Sequence, residues 1–200
     1  MSMPTDRSTT SPPPRTAVAS GVYPGHLIGA SFGAVFVSVN SGLLGEPLQL
    51  IATVLAVLAA AAVLAGFVVT IRRGQRPPER DRARSHLAFW VIVAIEAVLL
   101  FGGLAVFNRV EPAANVAWIA LVVGLHFLAF ARWWVRGQRE LIVIGAVMTT
   151  LGVVGMALAV TTHDAPLVQL IAGVGSGLVL LGTSTATALR VLAGRGAPAA

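Results

Sequence analysis

The sequence predicts an all-α membrane protein, a bundle of six transmembrane helices with the N- and C-termini on the cytosolic side. Three observations lead there. Six apolar stretches each approach the roughly 20 residues needed to cross about 30 Å of hydrocarbon at about 1.5 Å per residue. Only 11% of the 200 residues are charged, against about a quarter in a soluble domain. Arginine, which supplies all of the basic side chains, alternates between rich and poor connections along the chain. A soluble fold can bury one or two all-apolar helices, but it cannot hide six in a chain this short.

Residues 1–22, with Ser11, Pro12, Pro13 and Pro14 and little that is apolar, lack the hydrophobic core of a cleavable signal and read as a disordered cytosolic tail. The transmembrane domain covers 23–192, with spans at 24–44, 48–71, 87–107, 116–135, 141–161 and 167–189, and 193–200 form a second cytosolic tail. Arg72, Arg73, Arg76, Arg80, Arg82 and Arg84 follow span two. Arg132, Arg136 and Arg139 cluster around the end of span four, and Arg190 and Arg195 follow span six. The opposite connections hold Arg109 alone, beside Glu46, Glu111 and Asp164. Arginine-rich loops stay cytosolic, which sets both ends inside. Tyr23, Trp90, Trp118, Trp133 and Trp134 fall near span ends, where amphipathic rings favour the interface.

A pI near 11.6 would suit a nucleic-acid binder. The charge here lies between apolar stretches and serves topology, so the expected partner is the lipid bilayer and not nucleic acid. The run from Arg72 to Arg84 could also hold anionic headgroups, at about 1 kcal/mol per basic residue near an acidic leaflet, although topology explains the same residues. Arg73-Gly74-Gln75-Arg76 recurs as Arg136-Gly137-Gln138-Arg139. This suggests either stacked hairpin repeats or, the simpler reading, arginine and glycine at helix C-termini.

Gly25, Gly29 and Gly33 in span one, and Gly173 and Gly177 in span six, recur every four residues and let another backbone approach. Gly152, Gly155 and Ala159 form a looser stripe in span five. Contact within the bundle is favoured, and a homo-oligomer or membrane partner is the other use of such faces. Ser176, Thr183, Ser184, Thr185 and Thr187 could line a polar path, though such hydroxyls commonly bond back to their own helix.

The candidate site is Glu96 with His126, an acid and an imidazole near the middle of spans three and four. Counting along each helix puts both at the same depth, and spans joined by a short loop are usually neighbours. A lone carboxylate at mid-bilayer costs about 2.5–3.5 kcal/mol, so a partner is needed. Desolvation and mutual attraction act oppositely on the shared proton, and the two groups titrate as a unit. Such a pair serves as a proton relay, ion-coupling site or ligand pocket, or as an interhelical clamp contributing about 0.6 kcal/mol and at most about 2.

Two ligands are too few for a metal, and His26 lies near the cytosolic surface, so no metal or cofactor is expected. His26 and His86 at span starts read as hydrated interface groups. Glu46, Glu111, His163 and Asp164 could converge on a cation, or simply be solvated loop residues. The chain has no cysteine, hence no thiol chemistry. It also lacks H-E-x-x-H, G-x-S-x-G and Walker-type loops, so nothing points to an enzyme.

The stretch Trp118–Arg132, WIALVVGLHFLAFAR, preceded by FWVIVAIEAVLLFGG, resembles a loose group of uncharacterised bacterial multi-pass membrane proteins, with actinobacteria one candidate source. The matching positions of its G-x-H-F…A-R helix are Gly124, His126, Phe127, Ala131 and Arg132. The resemblance covers spans three to five best and implies a fold without an assigned activity. Abundant alanine, valine and arginine without lysine is the bias of a GC-rich bacterial gene, which places the protein in a bacterial plasma membrane. Two functions stay open. One is a structural or accessory interaction protein; the other is a small proton-coupled transporter or channel using Glu96 and His126.

Overall fold

The computed structural model describes residues 21–75, 82–134 and 138–194, of which 82–86 as backbone only. All regular structure among them is helical. The long helices are α1 (Pro24–Asn40), α2 (Leu48–Arg72), α3 (Arg82–Val110), α4 (Asn115–Ala129) and α5 (Arg139–Thr162). A final rod consists of α6 (Ala165–Val168), a π-helical turn at Gln169–Val174 and α7 (Gly175–Leu192). A second π-helical turn, Phe130–Trp134, extends α4.

Among the described residues, five helical segments are long and apolar enough to cross a membrane: Leu48–Arg72, Leu87–Val110, Pro112–Trp134, Arg139–Thr162 and Ala165–Leu192. The expected first span is the exception. α1 stops at Asn40 after 17 residues, about 26 Å at the helical rise, and gives way to a 3-10 turn at Gly42–Leu44. The side-chain amide of Asn40 donates back to the Phe36 carbonyl at 2.9 Å, and Ser41 is fully buried there. α3 runs the other way, its backbone starting at Arg82, five residues ahead of the expected Leu87.

The interior is built of small residues and the outside of large ones. α1, α2 and α7 enclose Val22, Ala30, Ala56, Val63, Leu181 and Ala188. α4, α5 and the rod enclose Ala114, Ala117, Ala120, Ala159, Val168 and Ala172. Ile28, Leu50, Leu58, Val98, Phe101 and Val160 all point outward and are 60% or more exposed. A monomer in water does not show that much apolar surface. Lipid tails remove the incentive to bury leucine and leave close backbone packing as the gain, which is how membrane helices associate.

α4 and α5 make the most extensive contact, followed by the mutual contacts of α1, α2 and α7, and the rod joins the two groups. α4 pairs chiefly with α5, and α7 with α1 and α2. The second copy of the recurring Arg-Gly-Gln-Arg includes Arg136 and Gly137, outside the described residues. α3 stands apart, touching mainly α4 and the turns that flank it, and Ile92 is its one buried residue among those described.

Helices alternate in direction, so like-charged ends gather. Arg73 at the end of α2 donates to the Val191 carbonyl at the end of α7, 3.1 Å away. His26 at the start of α1 feels the charge of Glu140 at the start of α5. At the other end Glu111 meets His163 at 2.5 Å, and Asn115 donates to Asn108 at 2.6 Å.

Candidate functional site

Three contacts, stepped along the helices, fasten α3 to α4. Phe89, Glu96 and Gly103 recur every seven residues, which keeps them on one face of α3. Their partners, Phe130, His126 and Trp118, run in the opposite order, as antiparallel neighbours must. In the outer contact the Trp118 indole sits over Gly103, where any β-carbon would collide with its Nε1. Its N–H donates to the Leu99 carbonyl at 3.0 Å.

In the middle contact Oε2 of Glu96 stands 2.8 Å from Nδ1 of His126. The two groups are in close contact, and Nδ1 makes no aligned hydrogen bond among the described residues. The side chains remain 23% and 11% exposed. The expectation of a pair enclosed deep in the bundle therefore needs correcting: acid and base meet in a partly exposed seam, because among the described residues α3 packs chiefly against α4 and its flanking turns.

The inner contact is aromatic. Phe130 packs against the His126 ring at a centroid distance of 3.9 Å, stacks on Phe89 at 5.7 Å and touches Trp134 at 4.7 Å. The π-helical turn makes this cluster possible. By widening the helix at Phe130–Trp134 it re-phases the side chains, and such turns concentrate at functional positions. Sequence reasoning missed this part of the seam, although the seven-residue spacing of Phe89, Glu96 and Gly103 was a signal for it.

The other candidates are dispersed. Gly33 and Gly177 face each other, each closing on the other's carbonyl oxygen at 2.8 Å from an ideal β-carbon. Gly29 faces Ser184, Gly173 lies under the Asn40 side chain, and Gly25 has open space. Gly124, Gly145 and Gly152 bring α4 and α5 into backbone contact. Thr183 and Thr187 donate to Val179 and Thr183 carbonyls at 2.8 and 3.2 Å, so they bond along their own helix. Ser176 is fully buried, and its hydroxyl and that of Thr185 have no partner among the described residues.

His26 accepts the Tyr23 N–H at 3.2 Å and caps α1. Asp164 caps α6 by accepting from Leu167 at 3.1 Å. Glu46, Glu111, His163 and Asp164 yield one acid–imidazole contact, and no three potential ligands converge on a metal position among the described residues. Of the arginine run, Arg73 is engaged with α7 and Arg72 is exposed. Arg76 and Arg80 lie outside the described residues, as do the side chains of Arg82, Arg84 and His86. Comparison with protein-family models, with curated proteins and with solved structures finds no match to this chain.

Proposed function

We propose that this is a six-span protein of a bacterial plasma membrane with a structural or accessory role, in which Glu96 and His126 act as a polar clamp holding α3 to α4. The observation that carries the reading is the isolation of α3. Among the described residues it has one long neighbour, and the acid–imidazole contact lies midway along that seam between a tryptophan–backbone bond and an aromatic cluster. A clamp is useful in such a place, because hydrophobicity does not favour one helix over lipid and packing plus polar contacts must hold α3.

The gathering of Arg72, Arg73, Arg139 and Arg190 at one end supports cytosolic termini. A short α1, completed by the turn to Leu44, supports a sixth crossing at the lower limit of spanning length. A second reading, a small proton-coupled transporter or channel, draws on the 23% exposure of Glu96 and on its unaligned contact with His126, since a carboxylate that cycles protons needs access.

A double-mutant cycle with Glu96→Gln and His126→Asn in liposomes tests the clamp. The expected result is a coupling energy of about 0.6–2 kcal/mol in unfolding, with proton flux unchanged. Flux that collapses in either single variant while stability holds would replace the clamp with the transporter.

A further inference from the structure

We propose that the groove between the start of α5 and the end of α7 binds one monoanionic phospholipid, its phosphate between Arg139 and Arg190 and part of an acyl chain along Val143, Ile144 and Ala186. The inference rests on the membrane reading above and goes beyond it, for neither role of the Glu96–His126 pair calls for such a site.

The groove encloses about 270 Å³. Both arginines are exposed at its mouth, and neither has an ion-pair partner among the described residues, whose acid–base pairs are His126–Glu96 and His163–Glu111. Each supplies a positive charge to a phosphate at the membrane surface. Glu140 shares the mouth, so the two cations less one anion leave a net charge of +1, complementary to a single phosphodiester.

The wall chemistry selects an amphiphile over a free anion. Ile144 forms a buried floor, and Val143 is 59% exposed and opens the groove towards the bundle surface. Thr183 and Thr187 have turned their hydroxyl hydrogens onto backbone carbonyls, so they present methyls and acceptor oxygens and no donor to a small hydrated anion. A site with cations at its rim and hydrocarbon along its length matches a lipid lying beside a helix end, and differs from a solvated phosphate pocket.

The test uses the full chain purified in detergent and titrated with phosphatidylglycerol, phosphatidylcholine or inorganic phosphate, with bound copies counted by native mass spectrometry. Phosphatidylglycerol should bind in preference to phosphatidylcholine, and millimolar phosphate should not displace it. Arg139→Gln with Arg190→Gln should weaken it about 25-fold, roughly fivefold per arginine. Arg139→Lys with Arg190→Lys should retain most of the affinity, Glu140→Gln should tighten binding, and Arg72→Gln should leave it unchanged.

Equal binding of both lipids, displacement by phosphate, or a loss with Arg72→Gln as large as with the double variant would overturn the proposal. Should the glutamine double variant fail to fold, the lysine and Glu140→Gln variants decide, and an unchanged affinity in Glu140→Gln would count against it. Co-flotation of the wild-type chain with phosphatidylcholine liposomes tests the membrane reading independently.

Discussion

Phe130 lies against the imidazole of His126, ring centroids 3.9 Å apart and planes tilted by 57°. The same ring stacks on Phe89 of α3, so one side chain both covers the base and grips the helix that carries its acid. The acid–imidazole contact and the aromatic cluster are thus a single fastening. Removing the ring should loosen α3 and expose His126 together.

Phe130→Ala is therefore expected to destabilise the protein by about 0.5–1.5 kcal/mol for each aromatic pairing it removes, with lipid filling the vacated space and limiting the effect. The ring's neighbours His126, Phe89 and Trp134 make Phe130 more sensitive than exposed Phe101. Unfolding in mixed micelles checks this: Phe101→Ala should be near neutral, and equal effects at the two positions would show that the cluster carries no special role.

Trp118 is bound to α3 through both a polar group and its ring. Trp118→Phe deletes the indole N–H that reaches the Leu99 carbonyl at 3.0 Å together with part of the ring over Gly103, and should lower stability by at least the roughly 0.5–1.5 kcal/mol of the hydrogen bond. The ring also occupies the notch over Gly103, so Gly103→Ala should force the indole out and weaken the α3–α4 seam further. Cross-linking yield between cysteines placed across the seam should fall in the order wild type, Trp118→Phe, Gly103→Ala.

The glycines separate into positions that bear a crossing and positions that do not. At Gly152 a β-carbon would meet the Leu121 backbone nitrogen at 2.5 Å, and at Gly33 the Gly177 carbonyl at 2.8 Å, whereas nothing lies within 4 Å of Gly25. Gly152→Ala and Gly33→Ala should each destabilise by about 1–3 kcal/mol, the usual cost of overpacking. Gly25→Ala should be neutral or slightly stabilising through helix propensity. Thermal melts of the three variants check this, and a large drop at Gly25 alone would imply that a second copy or a partner covers that face.

Much of the fold was legible because one constraint of a membrane acts on sequence directly. Spanning length locates the long apolar helices without knowledge of packing. Spacing along an axis also put Glu96 and His126 level with each other. It could not tell how many neighbours α3 has, and that number leaves the pair partly exposed at the rim. The three glycines of α1 look alike in sequence, yet only the ones facing α7 are constrained, since periodicity defines a face and says nothing of what covers it. The π-helical turns at Phe130–Trp134 and Gln169–Val174 left no trace, because the apolar residues there suit an α-helix equally well and tertiary contacts select the wider turn.

Thr70 joins the segment preceding α1 to α2. Its hydroxyl accepts the Val22 N–H at 3.0 Å and donates to the Gly66 carbonyl at 2.8 Å, and the side chain is 3% exposed. Val22 itself is fully buried among α1, α2 and α7, so its backbone cannot turn to water if that acceptor is removed. Thr70→Val keeps the shape and deletes the acceptor, which leaves a buried N–H unsatisfied at a cost of about 1–3 kcal/mol. The effect should be local, because α2 keeps its own ladder and the Gly66 carbonyl still accepts within it. Limited proteolysis should accordingly cut Thr70→Val near Val22 several times faster than wild type, while hydrogen exchange along α5 stays unchanged. Uniformly faster exchange would instead mean that Thr70 supports the whole bundle and not just the docking of its N-terminal segment.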